Sequence, residues 1–192
     1  MKKYELTSET KVIDGVELHR IKALESFGDV EKGNLGGWIK SEKNLSQYGD
    51  AWVYDNAIVS DNAIVNGNAK VCGNARIFGN AWVGGHATVF GNATVEDNAE
   101  VYGNATISGD AKVRGKADYI VFKNWWSSGR YFTWTRSNNK WKVGCFYGSG
   151  EELIAKAYED NEKSGREYER IVNYVEYILK EEDNGNRNKC ED

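Results

Sequence analysis

From Gly49 onward the chain repeats itself every six residues, and so short a period leaves few ways to fold. Alanine recurs at Ala51, Ala57, Ala63, Ala69, Ala75, Ala81, Ala87, Ala93, Ala99, Ala105, Ala111 and Ala117. Two positions on comes a β-branched aliphatic: Val53, Val59, Val65, Val71, Ile77, Val83, Val89, Val95, Val101, Ile107 and Val113. Turn pairs such as Asp55-Asn56, Gly67-Asn68, Gly73-Asn74 and Gly91-Asn92 precede the alanines. In an extended segment residues two apart share a face, so Ala and Val point one way and the residue between them the other. Gly, Asn and Asp accept left-handed backbone angles, so each pair bends the chain after a short strand. A strand and a corner every six residues wind a coil whose strands find parallel neighbours above and below. This is a hexapeptide parallel β-helix. The alternative, a meander of hairpins, needs longer strands between its two-residue turns.

Ile39 and Leu45 extend the alanine phase backwards, with Ser41 and Gln47 falling in the aliphatic slot, which makes one degenerate coil before Gly49. Residues 4–24 read as a hairpin turning at Asp14-Gly15. An open solenoid end exposes unpaired backbone, so residues 1–48 are expected to form an N-terminal β cap over a solenoid of residues 49–118. The chain changes character after Asp118. Tyr119-Ile120-Val121-Phe122, residues 130–136 and residues 141–146 look like strands, with a turn at Ser137-Asn138-Asn139-Lys140. Two helices follow, with capping boxes at Ser149/Glu152 and Ser164/Glu167. Tyr168, Ile171, Val172, Val175, Ile178 and Leu179 form an apolar stripe that packs on the Trp-rich sheet. Residues 119–180 are thus a small α+β domain, and the polar residues 181–192 a flexible tail.

The repeat, read as Val53-Tyr54-Asp55-Asn56-Ala57-Ile58 onward, resembles the hexapeptide-repeat family, aliphatic-x-x-x-small-x. The flanks extend the likeness. Tyr4-Glu5-Leu6-Thr7, Leu35-Gly36-Gly37-Trp38-Ile39, Asn44-Leu45-Ser46-Gln47 and the closing Gly144-Cys145-Phe146 domain are similar to phage- and prophage-encoded members. The resemblance implies a left-handed parallel β-helix of about four coils at three hexads per coil. The fold class expected is therefore mainly β, with an N-terminal β cap and a C-terminal α+β domain. The resemblance also implies a homotrimer, with a dimer as the other arrangement, and a bacterial host cell, in whose cytoplasm the isolated cysteines and the lack of a signal-peptide core are expected to place it.

Many enzymes on this fold are CoA-dependent acyltransferases that use a histidine as general base. Here there are two histidines, His19 and His86. His86 replaces the Asn of a corner, where histidine tolerates left-handed geometry, and it is the weak catalytic candidate. No inserted loop interrupts the repeat to wall an acceptor site. No cofactor and no metal site are expected: Cys72, Cys145 and Cys190 match no zinc spacing and no disulfide framework, as for reduced thiols. A mean hydropathy of −0.66 leaves no apolar run for a membrane span, and the first residues lack the apolar core of a signal peptide. A net charge of −4 argues against an indiscriminate nucleic-acid coat.

Two surfaces are candidate binding sites. Between Asp118 and Glu151 there is no acidic residue, while Lys123, Arg130, Arg136, Lys140 and Lys142 fall among Trp125, Trp126, Trp134 and Trp141. Cations interleaved with aromatics suit an anionic, nucleotide-type ligand, although the acid-rich helices offer an internal partner for the same charges. The second surface comes from stepping by eighteen residues, which stacks Trp52, Tyr54 and Phe90 on one side of the coil and Ile64, Trp82 and Tyr102 on another. Exposed aromatics on a rigid prism mark an oligomer interface. The reading is a non-catalytic oligomeric binding protein, a phage accessory factor that inhibits a host defence system by binding a host protein or sequestering a nucleotide signal. An acyltransferase and a virion or polymer-forming scaffold are the alternatives.

Overall fold

The structure, a computed structural model, describes residues 2–187. The N-terminal cap holds β1 (Tyr4–Ile13), β2 (Val16–Ala23) and β3 (Leu35–Ile39). Two-residue strands follow: β4 (Trp52–Val53), β5 (Ile58–Val59), β6 (Ile64–Val65), β7 (Lys70–Val71), β8 (Arg76–Ile77), β9 (Trp82–Val83), β10 (Thr88–Val89), β11 (Thr94–Val95), β12 (Glu100–Val101), β13 (Thr106–Ile107) and β14 (Lys112–Val113). The C-terminal unit adds β15 (Tyr119–Lys123), β16 (Tyr131–Thr135), β17 (Lys140–Val143), β18 (Phe146–Gly148), α1 (Gly150–Asp160) and α2 (Glu162–Arg187).

The short strands stack into a three-sided β-solenoid. The first side runs β1-β2-β3-β5-β8-β11-β14, the second β4-β7-β10-β13 and the third β6-β9-β12. Each strand pairs in parallel with the one eighteen residues on, as Ile58 with Arg76 and Trp82 with Glu100. Backbone bonds join successive coils throughout, for example Ile58 N to Ala75 O at 2.9 Å. From Ala51 to Val113 the alanines and their aliphatic partners are buried. Each buried Val contributes about 1.5 kcal/mol or more by leaving water.

At the corners the first residue of each turn pair takes the left-handed conformation. Gly85 has φ +65°, and a Cβ there would lie 2.9 Å from the Gly103 backbone nitrogen of the next coil. Glycine is needed for both reasons. Where Asp55 and Asp61 stand instead, their carboxylates accept the backbone N–H of Gly73 (3.0 Å) and Gly79 (3.1 Å). The second residue, usually Asn, builds a side-chain ladder: Asn62 donates to Asn80 (3.1 Å) and Asn80 to Asn98 (3.2 Å). His86 occupies this second position, so Gly85, and not His86, carries the left-handed angle expected of the histidine.

The coil before Gly49 differs in phase from the sequence expectation. Ile39 pairs with Val59 and Leu45 bridges to Val65, so both stand in the aliphatic column and not the alanine column. The chain between Leu45 and Val53 has eight steps instead of six, which absorbs the shift. Gln47, displaced from the interior, instead accepts the Lys3 backbone N–H at 2.8 Å.

The hairpin β1-β2 pairs with β3 and closes the first side at the N-terminal end, and side chains close the remaining ends. At the N-terminal end the buried Lys3 ammonium donates to Ala51 O (2.9 Å) and Gly49 O (3.1 Å), and Asn44 donates to Ala63 O (2.8 Å). At the far end one hydroxyl serves each side. Ser137 Oγ accepts Lys112 N (2.7 Å) on the first, and Thr133 Oγ1 accepts Thr106 N (2.9 Å) on the second. On the third, Tyr119 Oη donates to Glu100 O (3.1 Å). Burial holds the Tyr119 hydroxyl above its ordinary pKa, so it keeps the proton it donates. The antiparallel sheet β15-β16-β17-β18 therefore lies face-on across the end of the column.

Three further details depart from the sequence reading. Residues 141–146 form two strands, because Gly144, at φ +53°, turns β17 into β18. The second helix is capped by Asn161 and not by Ser164, since Asn161 Oδ1 accepts Ser164 N at 2.9 Å. Residues 181–187 continue α2, whereas residues 188–192 of the expected tail, with Cys190, lie outside the described residues. The Ser149/Glu152 capping box is present, at 3.2 and 2.7 Å. Among the described residues no helix is long and apolar enough to cross a membrane.

Burial lowers the Lys3 pKa to about 8 from 10.5. The unfolded chain then binds more protons than the folded one between those values, so stability rises with pH across that window. Denaturant unfolding is expected to show the folded state gaining about 2 kcal/mol from pH 7.5 to pH 10, before tyrosine ionisation opposes it. In Lys3→Met the increment should shrink to the smaller share left by Lys11, whose pKa burial also lowers. An equal rise in the variant would place its source elsewhere.

Candidate interaction surface

The residues expected to form a basic aromatic site are divided by the sheet that carries them. Bonding between β15 and β16 pairs Ile120 with Trp134 and Phe122 with Phe132, and β16 with β17 pairs Trp134 with Trp141. Alternation therefore sends Ile120, Phe122, Phe132, Trp134, Trp141 and Val143 to one face, where they pack with Leu153, Tyr168, Val172 and Val175 of the helices. Lys123, Lys140 and Lys142 belong to the other face, with Tyr119, Val121 and Thr133, which meet the solenoid end. Cations and tryptophans that alternate in sequence thus stand on opposite sides of a backbone layer. Trp134 and Trp141 are core residues, and Trp126 packs edge-on against Tyr168 at 5.4 Å. Only Trp125, 76% exposed, projects outward.

The cations are also engaged individually. Arg136 bonds Glu182 of α2 at 2.6 Å and Ala117 O at 3.1 Å. Lys142 lies 5.4 Å from the Phe90 ring, and Lys123 5.6 Å from that of Tyr131. Arg130 is exposed beside Gly144. The acid-rich helices cover the tryptophan face; among the described residues Arg136 pairs with Glu182 of α2, and the Ser149 hydrogen bonds, helped by the Lys140 charge, hold the Glu152 carboxyl of α1 below its ordinary pKa.

The second side of the solenoid is occupied by the protein itself. Trp52, placed by the repeat at an outward position, is 1% exposed, its ring met edge-on by Phe27 (5.4 Å) and Tyr4 (6.0 Å) of the N-terminal cap. Asp29 accepts both the Tyr54 hydroxyl and the Lys70 ammonium at 2.7 Å, which ties the loop of residues 24–34 to this side. The Lys70 and Tyr54 bonds hold the Asp29 carboxyl below its ordinary pKa. Trp52 and Tyr54 are therefore inner contacts of the cap, a role hidden from the repeat because Phe27 and Asp29 lie in an irregular loop.

The third side is different. Ile64 is 44% exposed, Trp82 38% and Tyr102 55%. Gly84 makes room for the Trp82 indole: a Cβ on Gly84 would sit 3.1 Å from Trp82 Cε2 and Cζ2 and 2.7 Å from Asn66 Oδ1. The Tyr102 ring lies nearly parallel to the indole, at 19°, with centroids 6.4 Å apart. Coil spacing fixes these side chains into one apolar stripe. At its lower end, beside Tyr102 and β15, opens a groove of about 450 Å³. A larger groove, about 530 Å³, runs between the hairpin tip and the first side, where Arg76, Lys112 and Arg114 are balanced by Asp14, Asp61 and Glu96. Arg76 pairs with Asp14, and Arg114 with Glu96 at 2.5 Å, so this groove carries no marked charge of either sign. His86 is exposed at a corner, its backbone N–H bonded to Gly103 O at 2.7 Å.

These features define a β-solenoid protein of hexapeptide repeats with a small C-terminal sheet and helices. Residues 69–85 match a family model described as the YdcK beta solenoid repeat. A 63-residue stretch is 40% identical to a protein of Escherichia coli (strain K12) named "Uncharacterized acetyltransferase YdcK". The likeness covers 29% of this chain and 19% of that protein, so the chain spans about a fifth of the relative it resembles.

If the tryptophans of the sheet are core, their replacement should act on stability. Trp134, whose Nε1 also donates to Asn139 Oδ1 at 2.8 Å, is expected to cost about 3–5 kcal/mol on change to Ala. Trp125→Ser should stay within about 0.5 kcal/mol. Thermal or denaturant unfolding of the two variants checks both, and equal effects would contradict the division of faces.

Proposed function

We propose that the protein is a non-catalytic, self-associating binding protein in which the third side of the solenoid is the principal interface. The observation that carries the reading is the exposed stripe of Ile64, Trp82 and Tyr102, held in register by the coils. The first two sides carry the hairpin, the irregular loop and Asp29, and both ends are capped, which disfavours end-to-end polymerisation. The trimer implied by the resemblance, or a dimer, would bury this side between copies. Within that reading, the phage-type flanks support an accessory role in which the oligomer inhibits a host defence system by occupying a host protein. Sequestration of an anionic nucleotide is the weaker branch, because the sheet separates its cations from its tryptophans.

The relative's name favours acetyl transfer as a second reading. It rests on His86 as base, and nothing near His86 in the repeat walls an acceptor site. Light scattering is expected to give an oligomer for the native chain and a monomer for Trp82→Ser/Tyr102→Ser with an unchanged circular dichroism spectrum. A native chain that is monomeric when dilute would remove the self-association. Turnover with acetyl-CoA that is lost in His86→Asn would replace the binding reading with the enzymatic one.

A further inference from the structure

We propose that two copies of this chain join through the open edges of β15, forming a single twofold interface that also turns their third sides toward each other. The proposal rests on the third side being a self-association face, and adds the element that pairs and the symmetry.

The outer edges of the first-side sheet and of the C-terminal sheet differ in how they are protected. β1 is broken by a register shift between Leu6 and Thr10 and carries Glu5, Glu9 and Lys11. β18 is three residues long. The ends of the solenoid sides are blocked by the hydroxyls of Ser137, Thr133 and Tyr119. β15, by contrast, is five residues of unbroken register with the sequence Tyr-Ile-Val-Phe-Lys, and among the described residues only β16 pairs with it. Exposed regular edges of this kind are templates for another strand.

The bonding pattern fixes which groups face outward. Arg136 N donates to Asp118 O and Asn124 N to Arg130 O, both at 2.8 Å. The even-numbered residues of β15 therefore exchange bonds with β16, and Tyr119, Val121 and Lys123 direct their N–H and C=O groups to the open edge. Beside that edge lies the groove of about 450 Å³, lined by Tyr119, Ile120 and Val121 and faced by Tyr102 and Gly103. No atom lies within 4 Å of where a Gly103 Cβ would be, so the groove is open at that corner.

A second copy fits this edge because β15 complements itself. Two antiparallel copies centred on Val121 set Val121 against Val121 and Tyr119 against Lys123, each pair exchanging both backbone bonds. The ends match in charge as well. Lys123 is at one end, and at the other Tyr119 is hydrogen-bonded to the backbone of Glu100, whose half-exposed carboxylate lies 3.7 Å from Lys116, so each Lys123 meets the Glu100 end of the other copy and competes with Lys116 for it. A twofold that relates antiparallel edges runs along the sheet normal. Since this sheet lies across the end of the column, the axis parallels the solenoid, and the Trp82–Tyr102 stripes come face to face.

Val121→Pro tests the pairing with little damage to the fold, because the N–H it removes points at the open edge and edge strands tolerate proline. Light scattering is expected to show a native dimer and a Val121→Pro monomer with unchanged circular dichroism, a weakening of at least about 100-fold. Lys123→Glu and Glu100→Lys should each weaken dimerisation about 10-fold, and the double variant should recover most of the loss. Amide exchange at Tyr119, Val121 and Lys123 should slow as protein concentration rises. The exchange and charge-swap results decide the matter if Val121→Pro does not fold. A dimer or trimer that survives Val121→Pro but is lost in Trp82→Ser would overturn the β15 pairing and leave the third side as interface. A native monomer would overturn both.

Discussion

The structure depends on one repeated contact, the backbone bond from each coil to the next eighteen residues on. Strands of two residues have no stability alone. They persist because Ile58 N reaches Ala75 O, Lys70 N reaches Ala87 O, and so on down the column, while Ala and Val beneath them exclude water. The chain must therefore return to the same side, one strand spacing further along the axis, after every three corners. That requirement places Gly85 and its equivalents at left-handed angles so close to the next coil that a methyl group would strike backbone. Interior, corners and ladder are one constraint seen from three directions.

A column built this way ends in unpaired backbone, and the two flanks answer this with different chemistry. The N-terminal cap offers donors, the ammonium of Lys3 and the amide of Asn44, to exposed carbonyls. The C-terminal sheet offers hydroxyls, of which Ser137 and Thr133 accept N–H groups and Tyr119 donates to a carbonyl. On the first side the N-terminal cap adds the antiparallel hairpin β1-β2 to β3, whereas the C-terminal sheet satisfies the last coil by side chains without adding a strand and so keeps an edge of its own.

How much of this was legible in the sequence follows the range of the interactions. The six-residue period exposed the solenoid, its inward residues and the outward stripe of Ile64, Trp82 and Tyr102, because each depends only on neighbours at fixed spacing. The hairpin at Asp14-Gly15 and the Ser149/Glu152 cap are equally local. The burial of Trp52 was not legible, since Phe27 and Tyr4 come from irregular or distant segments. Nor was the phase of Ile39 and Leu45, which a two-residue excess before Val53 shifts by one slot. The division of the basic aromatic segment had a readable signal that its composition obscured: Lys140-Trp141-Lys142 alternates, and alternation in a strand means opposite faces.

The backbone caps sit on the terminal coils, the flanks reach further inward through Asp14–Arg76, Asp29–Lys70 and Lys142–Phe90, and the coils themselves are built alike. Adding or removing eighteen residues would lengthen or shorten the column while returning both flanks to the same orientation about its axis. A change of six or twelve would leave every hexad intact yet rotate one flank by a third of a turn against the other. Proteins built on this plan can thus be expected to diverge in size by whole coils, with the separation of their flanking units varying in discrete steps.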